Sequence, residues 1–256
     1  MSARIISIAN QKGGVGKTTT ALSLAQALSR KGKRVLVMDL DPHGCASVHL
    51  AFFPENLRHT SYDVLIAESR ESCPWDLAIL SGHKSGFDFV ASDPRLAGLD
   101  FELKSREGKG VILKEYAAAI CARYDYVLVD CPPNMGVLLI NALVAADLLI
   151  IPAQTDFLAL HGMRLIFDTL RTLNQVMDRP VSYKVLATMY DKRAGACRRV
   201  MWLLMKKLGD KMFRTVIELD TQFREASAKG LVIFDVAPQS RGAMQYERLA
   251  KEILGA

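Results

Sequence analysis

The residues with the clearest chemical meaning lie at positions 10–20, Asn10-Gln-Lys-Gly-Gly-Val-Gly-Lys-Thr-Thr-Thr20. Gly13, Gly14, Val15 and Gly16 make a turn whose backbone N–H groups can converge on phosphate oxygens, because glycine removes the Cβ clash. An apolar run precedes the turn and a helix-forming run follows, so the helix's positive N-terminal end faces the same anion. Lys17 then neutralises the outer phosphates, the Thr18 hydroxyl is placed to ligate Mg2+, and Thr19 extends the nucleotide contacts. The common Gly-x-x-x-x-Gly-Lys-Ser/Thr spacing would put glycine at position 11, where Gln11 stands. The loop is instead the variant Lys-Gly-Gly-x-Gly-Lys-Thr, with a second lysine, Lys12, at its entrance. An ordinary Gly-rich turn explains the glycines alone, but not strand, Gly-Lys-Thr and helix in that order.

Such a loop needs carboxylates for metal and water, and three aspartates end apolar runs. Val35-Leu-Val-Met-Asp39-Leu-Asp41 supplies two, and Tyr126-Val-Leu-Val-Asp130-Cys-Pro-Pro supplies the third. Asp130 fits the Mg2+-linked carboxylate on the strand beside the loop, Asp41 a residue that orients the attacking water, and Asp39 a holder of the metal's water shell. Taken singly, each is equally a loop or cap residue. Pro132 and Pro133 stiffen the turn after Asp130, and Cys131 reads as a small filler. His43 follows Asp41 and Pro42 and either touches the site or belongs to the loop; the five histidines show no metal spacing.

The elements that must position these residues are legible in the hydrophobic pattern. Apolar, β-rich runs at 5–9, 35–38, 126–129, 148–151 and 185–188 alternate with helix-patterned segments at 17–31, 138–146, 162–177, 198–208 and 243–254. That alternation predicts an α/β fold: a doubly wound, mostly parallel sheet with helices on both faces and ligands beyond the carboxyl ends of its strands. The segment 52–110, with three prolines and five glycines, reads as strand-poor. The 256 residues are half apolar and 23% charged, which excludes a disordered chain and predicts one domain over 1–256. Five scattered cysteines without a Cys-x-x-Cys pair read as reduced thiols of a cytosolic protein. The first residues show no secretory leader, and the last no amphipathic tail for a bilayer, so a cytoplasmic location is expected.

The motifs KGGVGKTTT, DLDPH, YDYVLVDCPPN, IIPAQTDFLALHGM and ATMYDKR, in this order, resemble the ParA-type partition ATPases of the deviant Walker A class. The late segment FRTVIELDTQFREASAKG…SRGAMQYERLAKEIL resembles the same family's C-terminal stretch. The resemblance implies ATP and Mg2+ as cofactors, Lys17, Thr18 and Asp130 at the phosphate and metal positions, Met189 as a further nucleotide contact, and Asp41 as the residue of hydrolysis. It implies an ATP-dependent homodimer in which Lys12 reaches the partner's phosphates in trans, non-specific DNA binding, and an adaptor protein whose short basic segment stimulates hydrolysis. Departures are His43 in place of glutamine, Asn134 in place of serine, Asp156 where glutamate is usual, and Ile217-Glu-Leu-Asp220 in place of Ile-Pro-Arg-Asn. The His43 variant resembles the branch that positions chemotaxis or flagellar machinery at cell poles.

Charge bears on the DNA expectation. Residues 1–183 carry 19 basic and 19 acidic side chains, whereas 184–214 carry nine and two, so the net +6 arises from one window. Laid out at 100° per residue, 198–208 place Val200, Met201, Leu204, Met205 and Leu208 on one face, and Arg198, Arg199, Trp202, Leu203, Lys206 and Lys207 on the other. The window reads either as a core helix with a solvated exterior or as a phosphate-gripping face, with Arg193, Arg198, Arg199, Lys206, Lys207 and Arg224 as its DNA contacts; Arg224 would replace the arginine missing from the 217–220 stretch. Two other functions share the loop. A metal- or cofactor-handling ATPase of the iron–sulfur type needs paired cysteines, and a MinD-like membrane-placement ATPase needs an amphipathic tail.

Overall fold

The computed structural model describes residues 3–157 and 159–255. Seven strands, β1 (Arg4–Ile8), β2 (Val35–Asp39), β3 (Ile79–Leu80), β4 (Asp88–Val90), β5 (Tyr126–Asp130), β6 (Leu148–Gln154) and β7 (Tyr183–Thr188), form one sheet in the order β3-β4-β2-β5-β1-β6-β7. Neighbouring strands are parallel throughout except for the β3–β4 edge pair.

Period-2 alternation sorts the strand residues between two cores, as a sheet buried on both faces requires. Leu36, Met38, Val127, Val129, Leu149 and Ile151 face one apolar cluster, covered by the helices Ile112–Ala117, Val137–Ala145, Ala159–Asn174 and Gly195–Leu208. Val35, Val37, Leu128 and Ile150 face the other, covered by the helices Lys17–Ser29 and Arg241–Leu254.

The five long strand runs and all five helical segments read from the sequence are present, with ends shifted by a few residues. The 52–110 stretch is strand-poor as read: among short helical turns it contributes only the five residues of β3 and β4, which extend the sheet past β2. In the helix Gly195–Leu208 the pattern misplaces Met205, which is 52% exposed rather than on the apolar face.

The order in which strands are added reverses about β1, which pairs in parallel with β5 on one side and β6 on the other. The crevice at such a switch point opens above the carboxyl ends of the strands. There the segment after β1 and the ends of β2 and β5 meet: Ile8 lies opposite Asp130, and Asp39 opposite Asp130.

Candidate nucleotide-binding site

The loop after β1 is held from several sides before any ligand is considered. Buried Asn10 donates through Nδ2 to Pro152 O (2.7 Å) and accepts the Lys12 N–H on Oδ1 (2.9 Å). From the end of β7 the Thr188 hydroxyl donates to Val15 O (2.9 Å). Gly14 and Gly16 adopt φ of 73° and 88°, a region that side chains resist, and Gly16 leads directly into the helix Lys17–Ser29. This is the phosphate-cradle geometry that the glycine spacing predicts.

The two lysines of the loop point to different places. Lys17 is buried and lines the cleft, with Nζ 3.5 Å from Lys12 O. Lys12 does not line that cleft. Its stem passes Gly162, where an added Cβ would stand 3.3 Å from Lys12 Cβ, and its ammonium pairs with Asp156 just after β6.

The three aspartates also separate into distinct roles. Asp130 Oδ2 accepts the Thr18 hydroxyl (2.7 Å), while Oδ1 is buried with no partner. Burial, followed by the neighbouring Asp39 charge, raises its affinity for a proton. A buried carboxylate oxygen without a donor, next to a threonine hydroxyl that opens a helix, is the donor set that suits Mg2+. Asp39 Oδ1 accepts the Asp41 N–H (3.0 Å), and Oδ2 accepts both the N–H and hydroxyl of Ser47 (2.9 and 2.8 Å). Both oxygens are thus engaged in bracing the loop, which departs from the expected role at the metal's water shell. Burial pushes Asp39 up to about 6. Asp41 lines the cleft with His43, Cys45, Lys17 and Thr18. Ser92 ties this loop down, its hydroxyl donating to Asp41 O and its N–H to Ser47 Oγ (2.8 Å).

The cleft over the loop encloses about 650 Å³. Gly16, Thr19 and Met189 also wall an adjoining cavity of about 300 Å³, completed by Ile217, Leu219 and Phe223. A glycine-lined chamber carrying Lys17 and Thr18, joined to a second cavity with apolar walls at Ile217, Leu219 and Phe223, has room for a nucleotide's phosphates and base. Met189 stands at φ 52°, a strained conformation for a non-glycine residue, against Gly16. Glu218 and Asp220, in the departure from the family's stretch, have their carboxylates occupied by Arg241 (2.8 Å) and by the N–H groups of Gln222 and Gly242 (3.0 and 2.9 Å).

The basic set is spread over more than one place. Arg199, Lys206 and Lys207 are exposed on the helix Gly195–Leu208, where Lys206 sits 5.0 Å from the ring of Trp202, itself 55% exposed. Arg198 donates to Lys192 O and Arg193 O (2.9 and 3.0 Å), closing the preceding turn. Arg193 forms a two-point contact with Asp191 (both 3.0 Å). Arg224 lies on the helix Gln222–Ala228 at the apolar cavity, away from the helix that carries the other cations. Sequence spacing does not reveal Ser47, Ser92, Thr188 or Asn10, whose partners are distant in the chain.

Comparison with known proteins agrees with this geometry. A family model described as an AAA domain matches residues 3–183. The sporulation initiation inhibitor protein Soj of Bacillus subtilis is 37% identical over 98% of this chain and 98% of its own length. The chromosome partitioning protein ParA of Caulobacter vibrioides is 35% identical over 98% and 94%. A crystal structure named as cobyrinic acid a,c-diamide synthase from Mycobacterium smegmatis, with bound ATP analogue and magnesium, is 30% identical, covers 98% of this chain and 94% of that one, and superposes with a TM-score of 0.81. With the variant phosphate loop in place and relatives matched across almost its whole length, the chain belongs to the ParA-type family of P-loop ATPases.

Proposed function

We propose that this protein is an ATP-dependent switch: it binds ATP with Mg2+, closes into a homodimer, holds DNA without sequence preference, and is reset by hydrolysis to position or segregate a cargo. The observation that carries the reading is the position of Lys12. Its ammonium lies outside its own phosphate cleft, paired with Asp156, and an exchange of that partner would let it serve a neighbouring copy. Met135, Phe157 and Leu165, exposed by 52%, 90% and 53%, belong to the segments beside it. Met135 and Leu165 line a groove with Gln11 and Thr169. Apolar surface bordering a charge of this kind suits a second copy of the chain.

Within the cleft, the glycine N–H groups and Lys17 hold the phosphates, Thr18 Oγ1 and Asp130 Oδ1 would hold the metal, and Asp41 orients water toward the γ-phosphate. Magnesium, when bound, supplies charge neutralisation on the β- and γ-oxygens. Lys12 from the second copy adds positive charge where the transition state gathers negative charge, so turnover requires assembly. Thr19 and Met189 flank the passage between phosphate and base. Exposed Arg199, Lys206 and Lys207, with Arg193 and Arg198, form the DNA face; Arg224 is assigned to the base cavity. An adaptor protein stimulates hydrolysis. No described helix is long and apolar enough to cross a membrane, and a cytoplasmic, nucleoid-associated or polar location follows from the DNA reading. The relatives named above carry chromosome partitioning and sporulation control in their names, not a chemotaxis cargo.

The test is hydrodynamic size with a non-hydrolysable ATP analogue. The native chain is expected to double in mass. Lys12→Ala is expected to bind the analogue with unchanged affinity while its dimer weakens by at least about tenfold, the scale of one charge-assisted contact. A native protein that stays single when saturated overturns the reading.

A further inference from the structure

We infer that His43 is a positioning residue for hydrolysis: its imidazole locks the Asp41 carboxylate with one oxygen held and the other presented to the cleft. The inference rests on the reading of Asp41 given above. Asp41 Oδ1 accepts two bonds from the same residue, the backbone N–H of His43 and its ring Nδ1, each at 3.0 Å. A carboxylate can only accept, so Nδ1 carries the proton. Asp41 Oδ2 takes no hydrogen bond among the described residues and remains available to water.

The backbone of this turn is set without the imidazole. The Asp41 N–H donates to Asp39 Oδ1 (3.0 Å), the Gly44 N–H donates to Asp41 O (2.7 Å), and the Ser92 hydroxyl donates to the same carbonyl. Pro42 fixes its own φ between the two residues. What the imidazole adds is therefore confined to the Asp41 side chain. With only one N–H remaining, the carboxylate can rotate about its terminal torsion, which is broad. The His43 side chain is 72% exposed, so it fills no core and its removal opens no cavity. It lines the same cleft as Lys17, Thr18 and Asp41. An exposed ring that turns its Nδ1 onto a catalytic-site carboxylate is explained by orientation rather than by packing.

The experiment is hydrolysis of ATP with Mg2+ by the full chain, with kcat and KM measured separately. His43→Ala is expected to lower kcat about tenfold, the worth of one hydrogen bond to a charged acceptor, with KM unchanged within about twofold. His43→Asn places an amide N–H where Nδ1 sits and is expected to recover most of the loss, whereas a merely structural role would show no such rescue. In an Asp41→Asn background, His43→Ala is expected to add nothing, because the two act as one unit. A normal kcat in His43→Ala beside a defective Asp41→Asn overturns this inference alone, as does a change confined to KM, failure of the asparagine rescue, or an additive loss in the double variant. Full turnover in Asp41→Asn overturns the reading of Asp41, and this inference with it.

Discussion

Asp39 and Asp130 face each other in register at the ends of β2 and β5, and both resist ionisation because they are buried. For Asp39 the consequence has a definite sign. The native group keeps its proton up to about 6, while the unfolded chain releases it near 3.8. Between those values the folded state binds more protons, so the Asp39 contribution to stability declines as pH rises from about 4 to about 6. The full swing is at most about 3 kcal/mol at 1.36 kcal/mol per unit. In thermal melts without nucleotide, Asp39→Asn is expected to lose that decline and gain on the native protein as pH rises; parallel profiles would count against it. At this scale the loop residues were readable because consecutive positions carry their chemistry. Thr188 and Ser92 were not, since each acts on a partner 173 or 45 residues away. Asp39 was read as a metal group because a strand-end carboxylate looks the same in sequence whether it turns toward the cleft or back to brace its own loop.

Among the elements, the long strands declared themselves by apolar runs buried on both sides, and the helices by their spacing. β3 and β4 did not, because two and three residues are too few to show a period, and their place is set by pairing, β4 with β2 and β3 with β4. The helix Gly195–Leu208 shows the complementary limit. Its spacing placed the buried Val200, Met201 and Leu204 correctly, but not whether Met205 at the end of the stripe would be covered. Its exposed cations support a prediction at this level. Reversing Arg199 and Lys206 to glutamate is expected to weaken DNA binding and lower the slope of log K against log salt by about 2, if each contacts one phosphate. ATP-dependent dimerisation should be unaffected. An unchanged slope would remove this helix from the DNA face.

For the molecule as a whole, turnover and assembly are two sides of one cycle. Asp41→Ala is expected to retain ATP and lose hydrolysis, so that the dimer accumulates; gel filtration of that variant with ATP should show a persistent double-mass species on DNA, and a monomer would contradict the assigned role. The position of β1 at the centre of the sheet has a consequence for biosynthesis. Its only neighbours are β5 and β6, so the strand that leads into the phosphate loop has no partner until residues 126–154 have been made. At roughly 5–20 residues per second, that leaves an apolar strand unpaired on the ribosome for about 6–25 s. Nascent chains halted after β4 should therefore hold no nucleotide and should attract chaperones, and the cradle should appear only once the second half of the polypeptide emerges.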